Sequence, residues 1–363
     1  MDGAIVTAPI NLDGLTHTVW YQADLGNQEP RIEPFVPIAI LSGMRTRRRV
    51  VAEMPASARL LRQLPRIQQI FHGWAPDLGV VPVEAASRGG SERSDGGGVA
   101  SLFSGGVDSF YTALKHRGEL DALVFVHGFS GRLEDPGLRK KASLGAHSAA
   151  RRLGLALLEV ETNAKDFVSA HVPWHQYHGA LLAGVALFLS PSFRKVYVPG
   201  SLSYDSSFPY GSHPSVDPLW STEEMELIYD GYESNRFEKV AFIAKDERPR
   251  AFLRVCGNLA DRNYNCGWCE KCLRTMVALE IVGVLASCPT FPPLDLRRVA
   301  ALNPSSPQTW DLWEQNLRAA EQLGCDRTLV DVLRLVVERR DHRRESWTRS
   351  VVRSHLSRGP DSV

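Results

Sequence analysis

The segment VASLFSGGVDSFYTALKHR, residues 99–117, places a short apolar run directly before a pair of glycines. After the glycines, apolar residues recur at helical spacing, so the segment predicts a strand, a loop and a helix. Because Gly105 and Gly106 carry no side chains, backbone N–H groups of the loop can approach an anion closely, and the helix N-terminus adds a partial positive charge. The segment therefore predicts a phosphate-binding loop. The loop is not a Walker A loop, because no Gly-Lys-Ser/Thr follows it.

The chain beyond Val99 alternates between strand-like and helix-like patterns. Apolar runs at 122–127, 155–161 and 195–199 predict strands, and 143–153 and 174–190 predict helices. This alternation predicts an α/β fold, a parallel sheet with helices on both faces. Ligands bind outside the carboxyl ends of strands in such sheets, so we expect one crevice to bring together Ser104, His127, Thr162 and Gly200.

Changes in composition along the chain predict that it is divided into domains joined by a linker. Apolar runs before residue 86 predict a small β-rich domain with one helix over 56–71, and the Gly- and Ser-rich segment that follows predicts a flexible linker. Ser221 and Glu224 have capping-box spacing, which predicts a helix from there to about residue 232. The predicted parts are the β-rich domain 1–86, the linker 87–98, a nucleotide domain 99–288 with a cysteine lobe at 256–272, and a helical extension 289–363.

Four cysteines follow the spacing C-x9-C-x2-C-x2-C, at Cys256, Cys266, Cys269 and Cys272. Four thiolates complete a closed tetrahedral zinc site, and a C-x2-C step lets two sulfurs reach one ion. A redox role, with a persulfide or a cluster carried by fewer of the cysteines, stays open as an alternative.

The hexapeptide at 104–109 matches the SGGxDS signature of the PP-loop of ATP pyrophosphatases, whose fold is adenine nucleotide α-hydrolase-like. Together with the cysteine spacing, residues 99–280 resemble the zinc-containing 7-cyano-7-deazaguanine synthase family. The segment Gly200…Tyr204-Asp205…Pro209 and the ending Cys272-Leu-Arg274 are similar to motifs of that family.

This resemblance implies an enzyme that adenylates a carboxylate with ATP, releases pyrophosphate, and lets ammonia or another nitrogen nucleophile form an amide or a nitrile. It implies that Asp108, Ser104 and Lys239 act in catalysis, with Asp108 holding Mg²⁺. The expected cofactors are ATP, Mg²⁺ and Zn²⁺. The residues expected to bind the nucleotide are Ser104, Gly105, Gly106, Val107, Asp108, Ser109, His127 and Gly200.

The net charge and the hydropathy of the chain indicate which classes of partner to expect. Forty-two basic and 41 acidic residues give a net charge of +1, which provides no overall field to attract nucleic acid or a membrane. The acceptor is expected to be a small-molecule or peptide carboxylate, and a homodimer stays open. The N-terminus lacks a leader pattern and the apolar run 180–189 is too short to span a bilayer, so we expect a cytoplasmic protein. Sulfur transfer to RNA and a non-catalytic nucleotide-binding module remain the alternative functions.

Overall fold

A seven-stranded sheet forms the centre of the computed structural model, which describes residues 3–26, 29–89, 96–129, 133, 135–257, 264–304 and 306–339. A second sheet has two parallel strands. The strands are β1 (Ala4–Leu12), β2 (Leu15–Ala23), β3 (Val50–Ser57), β4 (Val83–Arg88), β5 (Gly98–Leu102), β6 (Ala122–His127), β7 (Ala156–Thr162), β8 (Phe193–Pro199) and β9 (Glu226–Asp230).

The large sheet has the order β1-β2-β7-β6-β5-β8-β9. The five strands from β7 to β9 are parallel, whereas β1 and β2 are antiparallel to their neighbours. From β5 the chain moves to β6 and β7 on one side, then returns to β8 on the other side. The loop after β5 therefore lies at the switch point of the sheet, where open α/β sheets bind their ligands.

Helices cover both faces of the sheet. Along β5, Ala100 and Leu102 belong to one apolar core while Val99 belongs to the other, as the period-two alternation of a strand requires. The predicted α/β class with a mostly parallel sheet is thus confirmed. The helices are α1 (Val36–Thr46), α2 (Ala58–Trp74), α3 (Val107–Lys115), α4 (Pro136–Leu153), α5 (Ala164–Ser169), α6 (Trp174–Phe188), α7 (Arg236–Ala244), α8 (Glu247–Phe252), α9 (Glu270–Ile281), α10 (Leu296–Ala300) and α11 (Pro307–Gln322), and residues 327–339 are also helical.

The first 86 residues belong to the same layered structure, in contrast to the separate β-rich domain predicted from composition. Strand β2 pairs with β7, with Tyr21 opposite Thr162, and β1 extends the sheet further. Tyr21 is fully buried and stacks on Phe188 of α6 with ring centroids 5.7 Å apart. The physical reason is that one face of the parallel sheet needs cover, and α1 and α2 supply it together with α5 and α6.

The predicted linker 87–98 overlaps the end of β4 and the start of β5, and residues 90–95 of it lie outside the described residues. The predicted helix from residue 221 is wrong. Ser221 accepts a hydrogen bond from the backbone N–H of Leu227, 3.0 Å away, and the chain continues as β9 in parallel pairing with β8. Pairing along a buried sheet edge outweighs the local capping signal.

The helical extension is present from α10 to residue 339, and residues 340–363 lie outside the described part of the chain. One side of α9 packs on the sheet layer, while Leu273, Val277 and Ile281 on its other side pack against α11 and its neighbours. Within the described residues, no helix combines the length and the apolar character needed to cross a membrane.

Candidate active site

The loop between β5 and α3 has the geometry that its glycines predict. Gly105 has φ +75°, in the left-handed region that favours glycine, and Gly106 is the N-cap of α3. Ser104 Oγ accepts from the N–H of Gly106 at 3.3 Å, and Ser109 Oγ donates to the carbonyl of Gly106 at 3.0 Å. The hydroxyls therefore hold the turn, while the first N–H groups of α3 have no partner within the helix.

Val107, predicted as a nucleotide-binding residue, is the first residue of α3, and its side chain is fully buried in an apolar core. Only the backbone of Val107 is therefore available to bind a ligand.

Asp108 lies in the first turn of α3 among positively charged side chains. Its carboxylate forms an ion pair with Arg236 at the start of α7, and Lys239 Nζ lies 3.8 Å from its Oδ1. Lys239 is 1% exposed and also donates to the carbonyl of Gly200 at 2.7 Å. Lys239 thus connects three predicted site elements: the phosphate loop, the end of β8 and α7. Among the described residues, Oδ1 of Asp108 accepts no hydrogen bond.

Burial and neighbouring charges shift the pKa values of the ionisable side chains in this site. Burial alone would raise the pKa of Asp108, but the charges of Arg236, Lys239 and Arg274 outweigh it and hold that pKa below its usual value. Burial lowers the pKa of Lys239, opposed by the charge of Asp108. Burial also lowers the pKa of Arg274 to about 10, which leaves the guanidinium charged at neutral pH. Three cations around one carboxylate make a site suited to a polyanion.

Two of the four strand-end residues expected to converge have other roles. His127 Nε2 lies 3.0 Å from Glu159 Oε2 on the neighbouring strand β7, and its ring packs edge-on against Phe125. Thr162 is fully buried, and its hydroxyl donates to the carbonyl of Trp20 at 2.6 Å, so it secures β2 to β7. Ser104 and Gly200 do lie at the site. Ser104 accepts from the N–H of Gly106 at the start of α3, and the carbonyl of Gly200 accepts from Lys239.

Sequence reasoning missed Arg236 and Arg254. Arg236 stands three residues before Lys239, directly after Asn235, which forms a capping box with Glu238. The N-x-x-E spacing could have fixed the start of α7 and so placed Arg236 and Lys239 on its first turn. The N–H of Arg254 donates to the carbonyl of Gly105 at 2.8 Å, and no local pattern predicts that long-range bond.

The four cysteines converge as their spacing predicts. Their sulfurs all lie within 4.8 Å of one another, with Cys256 and Cys269 4.0 Å apart and Cys266 and Cys272 3.8 Å apart. Sulfurs around a tetrahedral zinc ion, at about 2.3 Å from the metal, stand about 3.8 Å apart. The cluster could therefore bind a metal ion such as zinc. Cys269 is the N-cap of α9, and the Cys272 thiol that bonds to it lowers the pKa of Cys269 to about 4, which favours the thiolate that a metal requires.

A serine, a histidine and an aspartate also meet in the loop between β8 and β9. Ser207 Oγ lies 3.1 Å from His213 Nε2, but His213 Nδ1 accepts from the N–H of Ser215 at 3.0 Å. The ring proton therefore sits on Nε2, and the imidazole cannot take a proton from Ser207. Asp217 bonds to the Ser212 hydroxyl and the His213 backbone rather than to the ring. These residues hold the loop together and are not a catalytic triad.

Comparison of the chain with protein-family models, with curated proteins and with solved structures found no match. The resemblance to the PP-loop enzymes accordingly rests on the sequence motifs at 104–109, 200–209 and 256–274.

Proposed function

We propose that this protein is a PP-loop ATP pyrophosphatase that adenylates a carboxylate and passes the acyl group to ammonia or another nitrogen nucleophile. The observation that carries the proposal is the placement of the SGGVDS loop at the switch point of the sheet, with Asp108 facing Arg236 and Lys239. A nucleoside triphosphate is a polyanion, and such a loop with buried cations supplies both N–H donors and positive charge.

In the proposed reaction a carboxylate oxygen attacks the α-phosphorus of ATP, and the bond to the bridging oxygen of pyrophosphate breaks. The nitrogen nucleophile then attacks the acyl-adenylate, loses a proton and releases AMP. The N–H groups at the start of α3 and the ammonium of Lys239 would stabilise the charge that develops on pyrophosphate. When bound, Mg²⁺ would neutralise part of that charge, and the carboxylate of Asp108 in the first turn of α3 would hold it.

The cysteine cluster has a structural part in this proposal. Cys256 follows Arg254 by two residues, and the backbone of Arg254 bonds to Gly105 in the phosphate loop. A zinc ion on the four sulfurs would fix this segment, and with it one side of the loop.

The experiment follows the fate of ATP. Purified protein is given Mg²⁺, ammonium and a panel of small and peptide carboxylates, and we expect AMP and pyrophosphate, with carboxylate-dependent exchange of labelled pyrophosphate into ATP. Hydroxylamine in place of ammonium should trap the acyl-adenylate as a hydroxamate. Asp108→Asn should slow AMP formation by about a hundredfold or more, because charge stabilisation in the transition state is lost.

The matched control is Asp246→Asn, since Asp246 also pairs with an arginine, Arg248, but on α8. It should leave turnover unchanged. Formation of ADP and phosphate instead of AMP would contradict the PP-loop assignment. Tight ATP binding without cleavage for any acceptor would favour a non-catalytic module.

A further inference from the structure

Arg236 has a fixed backbone and a side chain that reaches a different helix. Its N–H donates to Gln315 Oε1 of α11 at 3.0 Å, and the capping box of Asn235 and Glu238 secures the turn around it. Its guanidinium crosses to α3 and pairs with Asp108. Only the side chain of Arg236 is therefore in a position to change partner.

The other two cations of the site are held in place. Lys239 is buried and bonded to the carbonyl of Gly200, and Arg274 is buried with its Nε 3.1 Å from Glu270 Oε1. The pair of Arg236 and Asp108 is more open, with side chains 16% and 20% exposed. Partial exposure to solvent weakens an ion pair, so of the three cations Arg236 is the one whose partner an incoming anion can most easily replace.

We propose that Arg236 is a phosphate-binding residue that holds Asp108 in the free protein and transfers to a nucleotide phosphate when ATP binds. This inference rests on the proposed function and adds a residue that neither the motif nor the cysteine spacing assigns. A guanidinium binds carboxylate and phosphate in the same bidentate manner, and a triphosphate carries more charge than one carboxylate. The transfer releases the Asp108 carboxylate at the moment the nucleotide is present.

The test is a double-mutant cycle on ATP affinity, measured by calorimetry on the zinc-containing protein without added Mg²⁺, so that no magnesium contributes to ATP binding. Arg236→Gln should weaken ATP binding about tenfold to a hundredfold, the range expected for one lost charge-assisted contact. Asp108→Asn should tighten ATP binding, because Arg236 no longer has to leave a partner. The gain from Asp108→Asn should vanish in the double variant, since it acts through Arg236.

Arg248→Gln is the matched control, because it breaks an arginine–aspartate pair on α8 and should leave ATP affinity unchanged. Arg236→Lys is the second variant, to be used if Arg236→Gln does not fold, and it should also bind ATP more weakly than the wild type.

Two results would overturn the inference. If Asp108→Asn tightens binding equally with and without Arg236, the effect is general charge repulsion and no partner exchange occurs. If Arg236→Gln binds ATP as well as the wild type does, Arg236 makes no phosphate contact. In either case a wild type that forms AMP and pyrophosphate leaves the proposed function standing, whereas a wild type that does not bind ATP removes both.

Discussion

Gly267, in the turn between Cys266 and Cys269, is required by both backbone and space. Its φ is +73°, and a Cβ at this position would stand 2.2 Å from Pro292 Cγ. Gly283 has the same φ of +73° with nothing within 4 Å of its Cβ position. Gly283→Ala should therefore cost only the left-handed backbone penalty, about 1–2 kcal/mol, whereas Gly267→Ala should cost more and weaken metal binding.

Urea unfolding of the two variants, with zinc affinity measured by chelator competition, tests this difference. Equal losses of stability with unchanged zinc affinity would show that the turn can shift away from Pro292 at little cost.

At the scale of single residues, the sequence predicted those whose role follows from local chemistry. The turn at Gly105 and the four cysteines depend on spacing within a short segment, and both are where the pattern placed them. The partner of Asp108 was not predictable in this way, because Arg236 lies 128 positions further along the chain. His127 was predicted to bind the nucleotide only because it lies at the end of a strand. In the structure its Nε2 contacts Glu159 on the adjacent strand.

Glu159 connects two strands and a helix. It accepts from His127 of β6, and Ser143 and His147 of α4 also contact its carboxylate. The hydrogen bond from His127 is the main cause that lowers the pKa of Glu159 from 4.5 to about 2. A carboxyl with a depressed folded-state pKa stabilises the fold above its unfolded pKa, and that stability is lost as the pH falls from about 4.5 to about 2.

Glu159→Gln should accordingly reduce the free energy of unfolding at pH 7, by up to about 3 kcal/mol, and by much less near pH 2. Urea unfolding of the wild type and the variant at a series of pH values measures the difference, and any acid-induced loss of metal affects both proteins alike. The exposed Glu53→Gln on β3 is the control. A stability difference that does not change with pH would show that the contacts of the ionised Glu159 carboxylate are not the cause.

Helix α9 depends on the cysteine cluster, because Cys269 is its N-cap and Cys272 lies in its first turn. A structural zinc ion contributes binding free energy on the order of 10 kcal/mol to folding. Cys269→Ser should therefore lose the metal and lower the melting temperature, while Cys325→Ser, outside the cluster, should keep about one zinc per chain. Because Arg254 bonds to Gly105, its amide should also exchange faster with solvent in Cys269→Ser.

Metal analysis, thermal unfolding and hydrogen exchange provide the three readouts. A Cys269→Ser protein that is metal-free and as stable as the wild type would contradict a structural metal site.

Local patterns predicted elements well where the whole element carries the signal, and less well where one short signal stood alone. Helix α2 follows from a long amphipathic pattern over residues near 56–71, and the structure has it at Ala58–Trp74. The isolated capping signal at Ser221 failed, because Glu226–Asp230 gains a full set of parallel hydrogen bonds from β8. The capping box that does form, at Asn235, begins a helix whose Val240 and Ile243 are buried in the sheet layer.

For the whole molecule, composition marks a polar segment near residue 90 but does not reveal how the residues before and after it pack in space. Strand pairing between β2 and β7 joins residues more than a hundred positions apart. The alternating pattern of β2 is the same whether its partner strand lies in a separate domain or in the central sheet. Tyr21 and Leu41, which precede residues 90–95, belong to the same apolar core as Leu181, which follows them.

This shared core predicts how the chain behaves when it is cut. A protease site inserted within residues 90–95 divides the chain into a piece with β1 to β4 and a piece with β5 onward. The two pieces should stay associated after cleavage and unfold in one transition, because separating them would expose the buried faces of Tyr21, Phe35 and Ile38 and leave β7 without β2. Expressed alone, residues 99–363 should be poorly soluble for the same reason. Size-exclusion chromatography of the cleaved protein and calorimetric unfolding measure both effects, with uncut protein as the control. Pieces that separate under native conditions, each with its own unfolding transition, would mean that residues 1–86 fold as an independent domain after all.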